Sequence, residues 1–91
     1  MKKTITKTFY SDPGHAWLKV DITDLVDLGL ERSITAYSYR RGSSVFLEED
    51  QDATAFIKRH QQKYPNYQLK FDDRHTDLRS KIRSYSPYIG T

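Results

Sequence analysis

The sequence has no cysteine, and its 91 residues include only three prolines and four glycines. Without thiolate ligands or nucleophiles, the chain cannot form disulfides, a cysteine-dependent active site or a zinc finger. No apolar run approaches the roughly 18 residues that a transmembrane helix needs. Residues 1–7 are basic, as at the beginning of a signal peptide, but no apolar stretch follows them. These absences predict a cytoplasmic protein that does not enter a membrane.

Apolar side chains are also scarce. Hydrophobic residues make up 36% of the chain, and even with its glycines the total falls below the roughly 45 to 50% of an average globular protein. Aromatic residues nevertheless make up 13%, whereas disordered segments are poor in these large side chains. Since a usual domain has roughly 100 to 200 residues, we expect one small folded domain.

Charge is distributed unevenly along the chain, although the net charge is only +3. Residues 1–57 contain seven Lys or Arg and nine Asp or Glu, whereas residues 58–91 contain eight and three. The first part therefore carries −2 and the second +5. This asymmetry gives a two-faced molecule unless the fold interleaves the charges.

The first half of the chain predicts a hairpin followed by a short helix. Thr4–Tyr10 is rich in β-branched and aromatic residues, which suits a strand, and Asp12–His15 has the proline and glycine of a tight turn. Apolar residues alternate from Ala16 to Ile22, with Trp17 and Lys19 on the other face. Asp21 is a suitable helix cap, and Gly29 is a suitable helix end.

The second half predicts two strands, a longer helix and a last strand. Ile34–Arg40 and Ser44–Glu48 are strand-like, and the short segment between them permits only a hairpin. An apolar stripe at helical period runs from Ala53 to Tyr64 and includes His60, for which we expect a hydrogen-bonded core position. Tyr67 to Asp72 alternates as a strand does.

The element order predicts an α+β fold. The order is strand, strand, helix, strand, strand, helix, strand, which favours a mixed or antiparallel sheet with its helices packed on one face. Residues 73–91 show no sustained apolar period. We therefore expect a domain over residues 1–72 and a basic, tyrosine-rich C-terminal tail over residues 73–91.

Three stretches resemble a known family. They are Ser11–Val20 (SDPGHAWLKV), Tyr37–Arg40 (YSYR) and Val45–Asp50 (VFLEED). Together they resemble a family of small uncharacterised proteins of phages and mobile elements, over most of the chain. The sequence departs from that family at Gln51, where cysteine is frequent, and at Ala16, where glycine is frequent. The resemblance implies a genomic setting and no activity that carries over.

Small phage proteins without an enzyme motif are often host-takeover or anti-defence factors. The leading expectation is therefore a non-enzymatic accessory protein that binds a host protein in the host cytoplasm, as an anti-CRISPR-like inhibitor of a nucleic-acid-handling complex. It would contact its partner through an anionic patch and an aromatic anchor. The patch consists of Glu48, Glu49, Asp50 and Asp52, and the anchor is Trp17. The alternative for the four acids is structural, because acids favour a first helical turn and Asp50 is a suitable cap.

An enzyme is not expected, and neither is a cofactor or a metal. The sequence has no Gly-x-Ser-x-Gly elbow and no glycine-rich phosphate loop. Asp12 and His15 flank one turn and could form an acid and base pair beside a pocket, but Asp12 also suits hydrogen bonds to turn amides. A metal-dependent hydrolase that uses His15, Asp12 and His75 is retained as an alternative.

The basic second part predicts a further alternative, direct nucleic-acid binding. Basic side chains neutralise phosphates and tyrosines stack on unpaired bases. The residues that would do so are Arg79, Lys81, Arg83, Tyr85 and Tyr88. No RNA-recognition or helix-turn-helix signature accompanies them. Homodimerisation, which would bury more apolar area in so short a chain, is left open.

Overall fold

The computed structural model describes residues 3–89, which form one six-stranded sheet and two helices. The elements are β1 (Lys3–Ser11), β2 (Ala16–Asp21), α1 (Ile22–Asp27), β3 (Tyr39–Arg41), β4 (Ser44–Glu48), α2 (Asp52–Lys63), β5 (Tyr67–His75) and β6 (Ser86–Pro87), with a 3₁₀ helix at Lys81–Ser84. The strand order is β5-β1-β2-β4-β3-β6, in which β1 and β5 are parallel and the other pairs antiparallel. The predicted α+β class with a mixed sheet is confirmed.

Local capping explains why α1 lies where the sequence predicts it. Asp21 is the N-cap, and its side chain accepts a hydrogen bond from the Thr23 amide at 3.0 Å. Asp24 accepts one from the Asp21 amide at 2.9 Å, which completes a capping box. Gly29 has a φ of 68°, a left-handed conformation that glycine adopts without strain and that ends the helix.

The strand predicted at Ile34–Arg40 is wrong over most of its length. Residues 31–38 form turns and irregular structure, and β3 begins only at Tyr39. This segment is irregular because the buried carboxylate of Asp52 holds it. The carboxylate accepts hydrogen bonds from the Thr35 amide at 3.0 Å and from the Ser38 hydroxyl at 2.5 Å. The β4 strand and the β3–β4 hairpin lie where they were expected.

The two faces of the sheet differ. On one face, Leu18 and Leu47 pack with Leu25 of α1 and Phe56 of α2, and all four are at most 1% exposed. The helices therefore cover one face, as predicted. The opposite face has a smaller cluster that centres on Trp17, and its helical cover is only the 3₁₀ segment.

The expected boundary after residue 72 falls inside β5. This strand pairs with β1 over nine residues, from Tyr67 to His75. Beyond it, Ile82 is 4% exposed, Tyr88 is 2% exposed, and β6 pairs with β3. Main-chain hydrogen bonds carry this pairing, so it needs no apolar period in the sequence.

Candidate functional site

The sheet face opposite the helices carries one basic and two aromatic side chains in a single row. Residues directly opposite each other on paired strands share a face. Thr8 is paired with Lys19, Lys19 with Phe46, and Phe46 with Tyr39. The row therefore runs across β1, β2, β4 and β3.

The C-terminal segment crosses this face and forms a cavity of about 780 Å³ with it. We call this cavity the basic groove. Its cationic lining residues are Lys19, Arg41, Arg79 and Lys81, and its aromatic lining residues are Tyr10, Phe46 and Tyr85. All four cations are exposed. No carboxylate occurs among the described residues that line it, so its electrostatic potential favours anions.

Aromatic rings form the floor of the basic groove. The ring centroids of Tyr10 and Phe46 lie 6.1 Å apart, and those of Phe46 and Tyr85 lie 5.2 Å apart. The Arg41 guanidinium lies 5.3 Å from the Tyr85 ring centroid and donates to its hydroxyl at 3.3 Å. Tyr10 and Tyr85 are only partly buried, so ring surface remains available for stacking.

An ion pair between the two ends of the chain fixes the wall of the basic groove. Arg83 donates to Asp12 Oδ2 from Nε at 2.6 Å and to Oδ1 from Nη2 at 2.8 Å. Asp12 also accepts from the Ser80 amide at 3.0 Å and from the amides of Gly14 and His15 at 3.0 Å each. The Arg83 guanidinium, together with these amides, holds the pKa of Asp12 far below its usual range.

Only part of the predicted basic set belongs to this groove. Arg79, Lys81 and Tyr85 line it, as the nucleic-acid alternative requires. Arg83 is held by Asp12, and Tyr88 is 2% exposed with its hydroxyl bonded to the Glu31 carbonyl, so neither is presented to a ligand.

Lys19, Arg41 and Tyr10 are groove residues that sequence reasoning did not single out. The sequence contained one indication of this position for Lys19, because the alternation in β2 places Lys19 and Trp17 on the face opposite the core. Tyr10 and Arg41 reach the same face only through the strand register.

The four acids of the predicted anionic patch do not share one exposed surface. Asp52 is 1% exposed and accepts hydrogen bonds from the loop before β3. Glu48 Oε1 accepts from the amides of Gln51 at 2.7 Å and Asp52 at 3.4 Å, so Glu48 caps α2. The expectation that Asp50 caps this helix is wrong, because Gln51 is the N-cap residue and Glu48 supplies the acceptor.

Glu49 and Asp50 are exposed and border a cleft of about 230 Å³. Tyr37, which is 77% exposed, also borders this cleft. Trp17 is 3% exposed beneath Arg83, whose guanidinium lies 5.6 Å from the indole, so Trp17 is a core residue and not a surface anchor. The acidic surface is therefore smaller than predicted.

The residues of the hydrolase alternative do not converge. Both oxygens of Asp12 bind Arg83 and backbone amides, and His75 contacts Ser11 Oγ at 2.8 Å and Asp77 at 3.1 Å. Within residues 3–89, no group of three or more His, Asp or Glu side chains is placed to hold a metal ion.

His60 occupies the expected core position, but one of its ring nitrogens lacks the expected hydrogen bond. It is 6% exposed, and its Nδ1 has no hydrogen-bond partner in the described part of the chain. Burial lowers the pKa of His60, so the neutral ring is favoured. Its ring packs between Phe56 and Tyr64, with centroid distances of 5.9 and 5.1 Å, which makes it part of the core.

Across residues 3–89, none of the helices is both long and apolar enough to cross a membrane. Comparisons with protein-family models, with curated proteins and with solved structures find no significant match. The resemblance to a phage and mobile-element family stays a prediction.

Proposed function

We propose that this protein is a non-enzymatic binding protein that holds single-stranded nucleic acid in the basic groove. The observation that carries the proposal is the convergence of four exposed cations and three aromatic rings in one cavity, with no carboxylate among its described lining residues. Cations along a groove bind phosphates, and partly exposed rings stack on unpaired bases.

A single strand fits this groove better than a duplex does. Tyr10 and Tyr85 present partly buried rings beside the buried Phe46, and such rings can accept bases only if the bases are unpaired and splayed outwards. Within residues 3–89, the only helical element that lines the groove is the four-residue 3₁₀ helix at Lys81–Ser84, which is too short to enter a major groove. Stacking and phosphate contacts bind with little preference for sequence.

A matched pair of charge reversals tests this proposal. Lys81 lines the groove, whereas Lys58 lies on α2 behind the sheet, and both are exposed. We expect Lys81→Glu to weaken binding of a fluorescently labelled oligonucleotide about tenfold, and Lys58→Glu to change it far less. Fluorescence anisotropy at low salt measures both affinities, against single-stranded DNA, single-stranded RNA and a duplex. Equal effects of the two substitutions, or no binding of any strand, would refute the groove as the site.

A second candidate function is the expected one, occupation of a host protein surface by a phage accessory factor with an anti-defence role. The cleft between exposed Glu49, Asp50 and Tyr37 supports it, since carboxylates beside an exposed ring can bind a basic partner surface. The test is affinity purification of Glu49→Lys and of the unchanged protein from a bacterial host, with nuclease treatment. A stoichiometric protein that survives nuclease and is lost in Glu49→Lys would favour this candidate, and loss of every partner after nuclease would favour the groove.

A further inference from the structure

The strand β5 ends the sheet and leaves a long edge unpaired. Its nine residues pair with β1 on one side only, and no other strand in residues 3–89 pairs with its outer edge. Seven of the nine, including all from Lys70 to His75, are exposed. A free edge of this length presents main-chain donors and acceptors that can pair with another strand.

The side chains of β5 alternate between the two faces of the sheet. Leu69 and Phe71 lie on the helix side, where Leu69 packs against the core and Phe71 lies 5.2 Å from the Phe9 ring. Phe71 is nevertheless 39% exposed, which leaves part of an apolar ring uncovered at the edge. Lys70 and Asp72 lie on the other face by alternation.

The order of charges in β5 is self-complementary. Two copies of an edge strand that pair antiparallel about a two-fold axis bring side chains of the same face directly opposite each other. If the axis passes at Phe71, Lys70 lies opposite Asp72 of the second copy, and this pair occurs twice. The two Phe71 rings then face each other. Centring the pair on Lys70 or on Asp72 instead places like charges directly opposite, which is destabilising.

The amount of exposed surface also favours a partner. The chain exposes 6100 Å² for a mass of 10.7 kDa. A folded monomer of that mass exposes about 5500 Å². The excess is consistent with a surface that a second molecule covers.

We propose that the partner is a second copy of this chain, joined through β5 in the register centred on Phe71. Since the two-fold axis is perpendicular to the sheet, the two sheets become continuous and both helix layers lie on one side. The two basic grooves then lie together on the other side. This dimer does not depend on whether the grooves bind nucleic acid.

Because the chain has no cysteine, a single introduced cysteine reports the register. A disulfide needs Cα atoms within about 7 Å. In the proposed register, residues 71 of the two copies are adjacent, whereas residues 73 are four positions apart, or about 13 Å. We expect Phe71→Cys to form a covalent dimer under mild oxidation and Asp73→Cys to form little. Equal cross-linking of the two variants would overturn the proposed register.

Charge exchange tests the same interface without removing Phe71. Analytical ultracentrifugation without nucleic acid should find the unchanged protein as a dimer, and Lys70→Asp and Asp72→Lys as monomers. The double variant Lys70→Asp/Asp72→Lys should recover the dimer, because the pair is restored with its signs exchanged. Circular dichroism checks that each variant is folded. A monomer at every concentration of the unchanged protein would overturn the proposal, and so would dimers that persist in both single variants. Oligonucleotide binding by a monomer would leave the function of the groove intact.

Discussion

Individual Asp and Glu side chains have very different roles in this chain. The neighbouring sequence does not indicate which role each of them has. Asp52 and Asp50 lie two positions apart at the start of α2. Asp50 is exposed, whereas Asp52 is 1% exposed and accepts three hydrogen bonds, from Thr35 and Ser38. Removing a buried acceptor of this kind destabilises the fold, because its donors lose their partner and cannot bond to water instead.

We therefore predict that Asp52→Ala lowers the free energy of unfolding by about 2 to 4 kcal/mol. The matched substitution Asp50→Ala should change it by less than about 0.5 kcal/mol, since that side chain is exposed. Urea denaturation of both variants measures the difference. Similar stabilities for the two variants would show that Asp52 does not hold the loop before β3.

Among the elements, the 3₁₀ helix is attached to the rest of the fold by a distant side chain. Asp12, in the β1–β2 turn, binds Arg83 within this helix and Ser80 immediately before it. The segment from residue 76 to residue 82, which forms the wall of the basic groove, is thereby attached to the opposite end of the chain.

We predict that the substitution Asp12→Asn makes the groove wall more mobile, because it removes the ion pair with Arg83. The pKa of Asp12 in the folded protein is depressed below its ordinary value of about 3.9, so the ion pair contributes full stability above that pH. The contribution is lost as the pH falls towards the depressed pKa. At neutral pH we expect faster amide hydrogen exchange around residues 80–88 in the variant than in the unchanged protein, with β2 and β4 unaffected. The difference should shrink as the pH falls below about 4. Exchange that is identical in the two proteins at neutral pH would contradict this role.

Elements determined by local interactions could be predicted from the sequence, and those determined by distant ones could not. The Asp21 cap and Gly29 indicate α1 because their partners lie within a few residues. The loop before β3 was misread as a strand because its organising acceptor, Asp52, lies 14 residues beyond Ser38. The last three residues of β5 were missed because both faces of this edge strand are exposed, which leaves no apolar period.

At the scale of the whole molecule, folding redistributes the charges that the sequence separates. The basic groove combines Lys19 and Arg41 from the acidic first part with Arg79 and Lys81 from the basic second part. About half of the site could be predicted from the composition of the C-terminal region. The rest required the strand register. The partners that remove Arg83 and Tyr88 from the site lie 71 and 57 residues away.

If the basic groove binds the phosphates of a single strand, the affinity must fall as the salt concentration rises. Each phosphate neutralised on a single strand contributes a slope of about −0.7 to the plot of log affinity against log salt concentration. Four groove cations therefore predict a slope of about −3 for the unchanged protein and about −2 for Lys81→Gln. The measurement is a series of oligonucleotide titrations at increasing salt for these two proteins and for Lys58→Gln, which should keep the original slope. An affinity that does not change with salt, or a slope that Lys81→Gln leaves unaltered, would contradict phosphate binding in the basic groove.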